Sequence, residues 1–351
     1  MKLNWIKNSF LFLIGVLLVL VVLEVFLRFS KISPPSFSEY YEDIGNGLAK
    51  SEKLLFFNEG LGIKETNEYR FYGEVPLQED SATIKIALIG DSFIESKQVF
   101  TRHYFGVLLR QELEKRLPKK KFEVFNFGRN GFGLKDMYAY DKVFVDSFEV
   151  DYKLYFLAQL DFETDKTESI QFMPKTSRLN PWTSPVSIEH DIPLSELRPN
   201  RTVQLIRDYS ITAVMLNNGI ERVKRLGLMN VTLRPFNFVE LEAPLERERK
   251  FNLPLDPLVF KIISSLDSNT ILVKRDTVAI PNTLKAAYEE YQVTHWDLGA
   301  LIQSMHVAGN PPNWWEVTGK VGHWNHEAHQ ELSLYLADLL AQKFESDNIY
   351  D

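Results

Sequence analysis

The stretch Lys85-Ile86-Ala87-Leu88-Ile89-Gly90-Asp91-Ser92-Phe93 decides the fold. It is a short apolar run, rich in branched side chains, that ends abruptly in Gly-Asp-Ser. Such runs are typical of buried parallel strands. Because a helical pattern soon follows, Ser92 is predicted at the carboxyl end of a strand, where open α/β sheets bind ligands. A nucleophile would fit this position, but three residues alone also fit an ordinary serine in a strand-to-helix turn.

Outward from this stretch, strands and helices alternate. Strand-like runs at residues 84–89, 122–127 and 153–157 are separated by helical patterns at about 103–116 and 134–148. Regular alternation predicts a parallel sheet that is covered on both faces and joined by right-handed crossovers.

The alternation stops at about residue 161 and resumes at about 255. We interpret residues 161–255 as an insertion over the carboxyl edge of the sheet, with a proline-punctuated loop at 177–199, a helix at 202–226 and a solvated charged run at 240–250. Beyond the insertion the patterns predict, in order, strands at 270–273 and 277–280, a helix at 284–291, a strand at 294–298, and a closing helix from its N-cap Asn325 to about 344.

The N-terminus is predicted to lie outside the folded domain. Residues 10–23 are apolar throughout apart from one glycine, and with their flanks they approach the ~20 residues that cross a bilayer. Lys2 and Lys7 precede the run, which favours a cytoplasmic N-terminus and a single-pass membrane protein with its body on the extracytoplasmic side. A cleaved signal peptide is the alternative, but the sequence lacks a small-x-small cleavage site after the run. The predicted organisation is an anchor at 1–32, a connector at 33–80 and a domain at 81–347.

Composition excludes several classes of protein. The 351 residues are 45% hydrophobic and 25% charged, which is ordinary for a globular protein. The net charge of −7 and the pI near 5.6 argue against nucleic acid as a partner. The absence of cysteine removes disulfides, cysteine nucleophiles and thiolate metal sites.

Three blocks, in order, resemble those of the SGNH (GDSL-type) hydrolases. They are Gly90-Asp91-Ser92-Phe93, then Asn126-Phe127-Gly128-Arg129-Asn130-Gly131-Phe132-Gly133, and last Gly322-His323-Trp324-Asn325. The resemblance implies a three-layer, flavodoxin-like α/β fold after the transmembrane helix. It also implies Ser92 as nucleophile, His323 as base, and the backbone N–H groups of Ser92 and Gly131 as donors to an oxyanion. Glycine at 131 would let the backbone approach a substrate closely.

Two positions depart from the family pattern. The family usually places an aspartate two or three residues before the histidine, where this chain has Val321 and Lys320. In serine proteases with a Ser-His-Asp triad, loss of the equivalent acid lowers kcat by about 10⁴, because the acid holds the imidazole in the productive tautomer. Glu316, Asp297 or a backbone carbonyl are the candidate substitutes, and spacing does not choose among them.

The second departure concerns the oxyanion hole. Where the family has Gly-Asn-Asp, this chain has Gln159-Leu160-Asp161, so a leucine stands at the position of the donating asparagine. Losing one such donor costs on the order of 10²–10³ in kcat. Gln159 is a candidate replacement donor, and Asp91, Asp161 and Asn325 are further candidate supporting residues.

Two weaker patterns accompany the blocks. His323, His326 and His329 have a helical spacing, but His326-Glu327-Ala328-His329 is one residue short of the zincin pattern, so no metal and no cofactor are expected. Trp314 and Trp315 fit either stacking on sugar rings or packing beside the site.

Two hypotheses of function follow. The first is a membrane-anchored serine esterase or acyltransferase acting on O-acyl groups, acetyl above all, of cell-surface carbohydrate. The resemblance further suggests a membrane-bound O-acyltransferase as a partner. The second is a hydrolase-like protein that has lost activity and serves as a binding or assembly partner. Ser92, Gly131 and His323 favour the first; Val321 and Leu160 favour the second.

Overall fold

The structure, a computed structural model, describes residues 2–30, 32–33, 38–56, 59–73, 75, 83–163, 170, 172–174, 177–191, 193, 196, 210–213, 251 and 253–347. The predicted charged run at 240–250 lies outside the described residues, as does most of the predicted helix at 202–226.

One long helix, α1 (Lys2–Ser30), opens the described chain. Its segment Lys7–Phe29 has a mean hydropathy of 3.1 and is long and apolar enough to cross a membrane. Glu24 interrupts the apolar surface near the end of this segment. Its carboxylate accepts hydrogen bonds from the backbone N–H groups of Ile211 and Thr212, at 3.2 and 2.9 Å, so the predicted insertion contacts the helix there.

The segment predicted as a connector is built into the fold. It forms five short strands: β1 (Ile32–Ser33), β2 (Ser38–Tyr41), β3 (Gly45–Leu48), β4 (Lys53–Phe56) and β5 (Gly62–Glu65). β4 and β5 pair as an antiparallel hairpin. Phe71, which follows them, is 1% exposed and its ring lies 4.9 Å from that of Phe127 in the central sheet. Residues 38–56 and 59–73 are therefore a packed part of the domain.

The first half of the central domain alternates as predicted. Its elements are β6 (Thr83–Gly90), α2 (Ser92–Glu95), α3 (Phe105–Arg116), β7 (Lys121–Gly128), α4 (Leu134–Val143) and β8 (Tyr152–Leu157). Side chains of β6 are buried on both faces of the strand, as in parallel sheets covered by helices. The predicted helix at 134–148 ends early and continues as a 3₁₀ turn at Val145–Phe148.

The second half completes the sheet. Its elements are β9 (Ser177–Asn180), β10 (Ser187–His190), α5 (Pro257–Ile263), β11 (Thr270–Lys274), α6 (Asn282–Glu290), β12 (Thr294–Asp297), α7 (Gly299–Val307), β13 (Trp314–Trp315), β14 (Lys320–Val321) and α8 (His326–Ser346). The five central strands run parallel in the order β12-β11-β8-β6-β7. This is the flavodoxin-like order, and it confirms the predicted fold class.

Two predicted elements differ. The loop expected at 177–199 contains the antiparallel hairpin β9–β10. The strand expected at 277–280 does not form, because the side chain of Asp276 accepts the N–H of Val278 at 3.1 Å and Pro281 then leads into α6. The local hydrogen bond of an aspartate turn thus prevails over β propensity.

The core lies in two layers, one on each face of the sheet. On one face α3 and α8 pack together through Phe105, Leu109, Leu332 and Leu336, all at most 1% exposed. The other face is covered by α4 and α5 and by the aromatic residues of the N-terminal segment. This packing fixes the carboxyl ends of β6, β7 and β8 against the start of α8.

Candidate active site

Ser92 lies where the sequence predicts, directly after β6 and at the first position of α2. Asp91 is the N-cap of this short helix, and its side chain accepts the N–H of Phe93 at 2.9 Å. The cap holds the turn in which the serine side chain stands at the carboxyl edge of the sheet.

His323 reaches Ser92 from the other end of the chain. Its Nε2 lies 2.8 Å from Ser92 Oγ, which is a hydrogen-bond distance. Trp315 Nε1 donates to the carbonyl of His323 at 2.9 Å, and the imidazole lies 4.7 Å from the ring of Phe93. The ring is therefore held from its backbone and from one face, in a position to take the serine proton.

Glu59 completes the constellation. Its carboxylate contacts His323 Nδ1 at 2.9 and 3.1 Å through its two oxygens, and one of them also accepts the backbone N–H of His323 at 2.8 Å. Burial alone would raise the pKa of Glu59. The hydrogen bonds and positive charge of His323, with a contribution from Lys320, outweigh burial and hold this pKa below its usual value. The carboxylate is thus ionised where it can fix the Nδ1–H tautomer and stabilise an imidazolium.

The glycines around this contact make room for it. A Cβ at Gly322 would lie 2.3 Å from the carboxyl carbon of Glu59, and one at Gly60 would lie 2.1 Å from the ring of Trp315. Both distances are below any real contact, so neither position admits a side chain without movement. Gly322, directly before His323, is therefore needed because it leaves the space that the Glu59 carboxylate occupies.

The acid predicted from spacing is not the acid observed. Glu316 is exposed and lines a separate surface cavity. Asp297 accepts hydrogen bonds from Lys274 Nζ at 3.0 Å and from the backbone of Gly299. Glu59 was missed because it lies in the segment interpreted as a connector, 264 positions from His323. The signal in the sequence was Gly60 and Gly62 beside it, which indicate a tightly packed loop.

Gly131 has the backbone expected of an oxyanion loop. It adopts φ +85°, and the N–H of Phe132 bonds to the carbonyl of Arg129 at 3.1 Å, which closes a turn with Gly131 at its third position. A positive φ at that position is typical of a type II turn and favours glycine. An added Cβ would also lie 3.0 Å from the ring of Phe172. Among the described residues, none accepts a hydrogen bond from the Gly131 N–H.

The third block provides no side-chain donor at its expected position. Leu160 is 75% exposed on a 3₁₀ turn at Gln159–Phe162. The amide of Gln159 donates to Glu163, and its backbone N–H donates to Asp276 at 2.6 Å. Since Gln159 is held in this way, the structure does not bear out its prediction as the replacement donor.

A charged cluster lies beside Ser92. Asp91 Oδ2 pairs with Arg275 Nη2 at 2.5 Å, and the Arg275 guanidinium lies 4.1 Å from the ring centre of Phe93. Asp161 accepts the N–H of Ala158 at 2.7 Å. Burial raises the pKa of Asp161 to about 7; Arg275 opposes the rise, and Asp91 and Asp276 add to it.

The remaining predicted residues support the histidine loop. Asn325 caps α8 by accepting the N–H of Ala328 at 2.9 Å, and its amide donates to the carbonyls of Pro311 and Trp314. His329 is buried, and its Nδ1 accepts the N–H of Phe105 at 3.2 Å, which caps α3. His326 is half-buried against the rings of His103 and Trp315.

One group of carboxylates among the described residues has metal-like spacing. Asp141, Asp146 and Asp267 lie within 4.8 Å of one another through their oxygens. Lys153 Nζ contacts all three, at 3.1 Å in the case of Asp141 and Asp267. Because the ammonium groups of Lys153 and Lys142 already contact these carboxylates, the group is explained as an ion-pair network at the amino end of β8.

Comparisons with known proteins find similar solved structures only at low identity. No protein-family profile matches the chain, and no curated protein matches it. Among solved structures, a protein described as a lipolytic member of the G-D-S-L family from Desulfitobacterium hafniense is 12% identical, with a TM-score of 0.33 over 72% of this chain and 98% of that one.

Two further structures are similar at the same level. The lipase/acylhydrolase from Enterococcus faecalis is 12% identical, with a TM-score of 0.34 over 74% of this chain and 96% of that one. An acetyl xylan esterase is 12% identical, with a TM-score of 0.33 over 74% of this chain and 99% of that one. Scores this low carry no argument about substrate or mechanism, so function is argued from the geometry of the site.

Proposed function

We propose that the chain is a serine esterase or acyltransferase that acts on O-acyl groups through an acyl-enzyme on Ser92. One observation carries the proposal: the continuous hydrogen-bonded series from Ser92 Oγ to His323 to Glu59, with contacts of 2.8 and 2.9 Å. Nucleophile, base and orienting acid in this geometry are the parts that acyl transfer requires.

Each residue has a defined role in this mechanism. Ser92 Oγ attacks the ester carbonyl carbon while His323 Nε2 takes the serine proton. Glu59 stabilises the resulting imidazolium, and the N–H groups of Ser92 and Gly131 bind the oxyanion. His323 then gives its proton to the leaving alkoxide. Water, or a second hydroxyl in the case of transfer, attacks the acyl-enzyme by the same route in reverse.

The proposed substrate is an O-acetylated carbohydrate at the cell surface. The apolar helix α1 supports a membrane-anchored protein. Lys2 and Lys7, ahead of its apolar run, favour a domain outside the cytoplasm. Beside His326 lies a cavity of about 190 Å³ with Trp314 in its wall, together with the polar side chains of Asn310, Glu316 and Glu327. An aromatic face among such groups suits a sugar ring. Trp315, in contrast, is 3% exposed and is a packing residue.

The experiment is covalent labelling of residues 33–351 with a fluorophosphonate probe. Labelling is expected in the wild-type fragment, in Ser304→Ala as a matched serine control, and not in Ser92→Ala. Hydrolysis of acetylated oligosaccharides then tests the substrate class. A folded wild-type fragment that resists the probe would refute the esterase proposal.

One observation favours the second candidate, a binding partner of a membrane acyltransferase. Leu160 and Gln159 do not provide the side-chain donor that the family usually has at the oxyanion hole. In that case Ser92→Ala would leave the protein's cellular role intact, and a membrane acyltransferase would copurify with the full-length chain.

A further inference from the structure

Glu95 is a buried acid that the mechanism above does not use. It is the last residue of α2, three positions after the nucleophile, and only 1% of it is exposed. Its Oε2 accepts the backbone N–H of Asn130 at 3.0 Å. Asn130 directly precedes Gly131, so the nucleophile helix is hydrogen-bonded to the loop that would bind the oxyanion.

The loop has few other fixed points. Arg129 donates its N–H to the carbonyl of Gly90 at 2.9 Å, and Phe132 donates to Arg129 across the turn. Between these two hydrogen bonds, the N–H of Asn130 is held by its hydrogen bond to Glu95. The backbone of Gly128 also lies close, since a Cβ there would be 2.1 Å from the Glu95 nitrogen. The Glu95 carboxylate therefore fixes the Arg129–Asn130 peptide, which directly precedes the peptide that carries the Gly131 N–H.

Two lysines interact electrostatically with this buried carboxylate. Lys97 Nζ contacts Glu95 Oε1 at 2.8 Å with 17% of its side chain exposed. Lys64 is 1% exposed in β5, 4.4 Å from the ring centre of Tyr104. Burial lowers the pKa of Lys64 to about 7, and the Glu95 charge opposes that fall. The Glu95 carboxylate thus contacts Lys97 through Oε1 and accepts the Asn130 N–H through Oε2.

We propose that Glu95 is a positioning residue for acyl transfer: its carboxylate holds the Arg129–Asn130 peptide and thereby orients the next peptide, so that the Gly131 N–H is preset for the oxyanion. The inference rests on the proposed esterase function. Donors that are fixed before the reaction stabilise the transition state without reorganisation, whereas a loose donor loses much of that effect. The expected signature is a loss in kcat with little change in KM.

The test compares Glu95→Gln, which keeps an oxygen acceptor, with Glu95→Ala, which removes it. Rates are measured with p-nitrophenyl acetate on the full-length protein in detergent. We expect a fall in kcat of a few-fold for Glu95→Gln and of about 10- to 100-fold for Glu95→Ala, since a full oxyanion donor is worth on the order of 10²–10³. KM should stay within about threefold, since ground-state binding does not use the donor. Inhibition by a small boronic acid, which forms a tetrahedral adduct on Ser92, should weaken in parallel with kcat.

Asp141→Asn is the matched control, because Asp141 is an equally buried carboxylate paired with Lys153 at the other end of the sheet. It is expected to lower the melting temperature and leave kcat unchanged. If Glu95→Ala does not fold, Lys64→Met is added to remove the unpaired buried ammonium. An active wild type whose kcat is the same in Glu95→Ala would overturn this inference alone, whereas an inactive wild type would overturn the proposed function. A uniform loss in Glu95→Gln, Glu95→Ala and Asp141→Asn that follows melting temperature would also overturn it.

Discussion

Replacing Glu59 is the most direct test of the constellation. In the resting state its carboxylate accepts the Nδ1–H of His323, and this bond becomes charge-assisted when the imidazolium forms. A hydrogen bond to a charged group is worth about 1.5–3 kcal/mol, and loss of the correct tautomer adds to it. In serine proteases with a Ser-His-Asp triad, replacing the acid lowers kcat by about 10⁴, which corresponds to about 5.5 kcal/mol. For Glu59→Ala we expect a fall of about 10³–10⁴.

Glu59→Gln separates geometry from charge. One carboxylate oxygen of Glu59 accepts both the backbone N–H and the ring N–H of His323, at 2.8 and 2.9 Å. Glutamine can place its single oxygen there and keep both bonds, but it cannot neutralise an imidazolium. We therefore expect a fall in kcat of about 10²–10³, smaller than that of the alanine variant.

The assay is hydrolysis of p-nitrophenyl acetate by residues 33–351, with the rate of fluorophosphonate labelling as a second readout. Glu316→Gln is the matched control, because Glu316 is the exposed acid that spacing put forward. It lines the cavity proposed for a sugar, which p-nitrophenyl acetate lacks, so this variant should keep wild-type activity with this ester. Circular dichroism checks that each variant folds. Glu59→Ala with kcat within tenfold of wild type would show that His323 needs no acid from this segment. Loss of activity in Glu316→Gln would instead indicate that Glu316 is the acid that orients His323.

Two further predictions follow from the site. Gly322→Ala places a methyl group against the Glu59 carboxylate, a flexible side-chain end, so the acid should move away while the fold persists. The value of kcat should fall towards that of Glu59→Ala, and the double variant should be no worse than Glu59→Ala alone, which a double-mutant cycle measures. Additive losses would contradict this reasoning. Asp161 has a folded-state pKa of about 7 against an ordinary 3.8, so its ionisation destabilises the fold progressively as pH rises from about 4 to 7, by at most about 4 kcal/mol. Asp161→Asn should therefore raise the melting temperature by several degrees at pH 8 and by less at pH 5; an equal gain at both pH values would exclude the raised pKa as the cause.

The elements that could be predicted from the sequence are those with a local signal. β6 and β8 are continuous apolar runs, and α8 has a cap at Asn325 and an apolar stripe that includes Leu332 and Leu336. Each pattern is contained within about twenty residues. The sequence blocks also placed Ser92 and His323 at the two elements that the fold brings together.

What could not be predicted depends on contacts between distant segments. Glu59 carries no periodic signal and acquires its role only because the loop before β5 packs against the turn before α8. The run 277–280 has the branched residues of a strand, but Asp276 turns the backbone away from the sheet. Propensity is a local quantity, and both outcomes were decided by partners that the local sequence does not contain.

The position of Glu59 bears on how related chains are sorted. Classification by the residue two or three places before the histidine would find Lys320 and Val321. It would therefore class this protein with hydrolase-like proteins that have lost activity. The carboxylate is present all the same, contributed from ahead of the nucleophile, so the order along the chain is acid, serine, histidine. Other proteins classified as inactive by that criterion should be searched for an acid ahead of the strand that corresponds to β6. The signs to look for are a glycine beside the acid, like Gly60, and a glycine directly before the histidine, like Gly322.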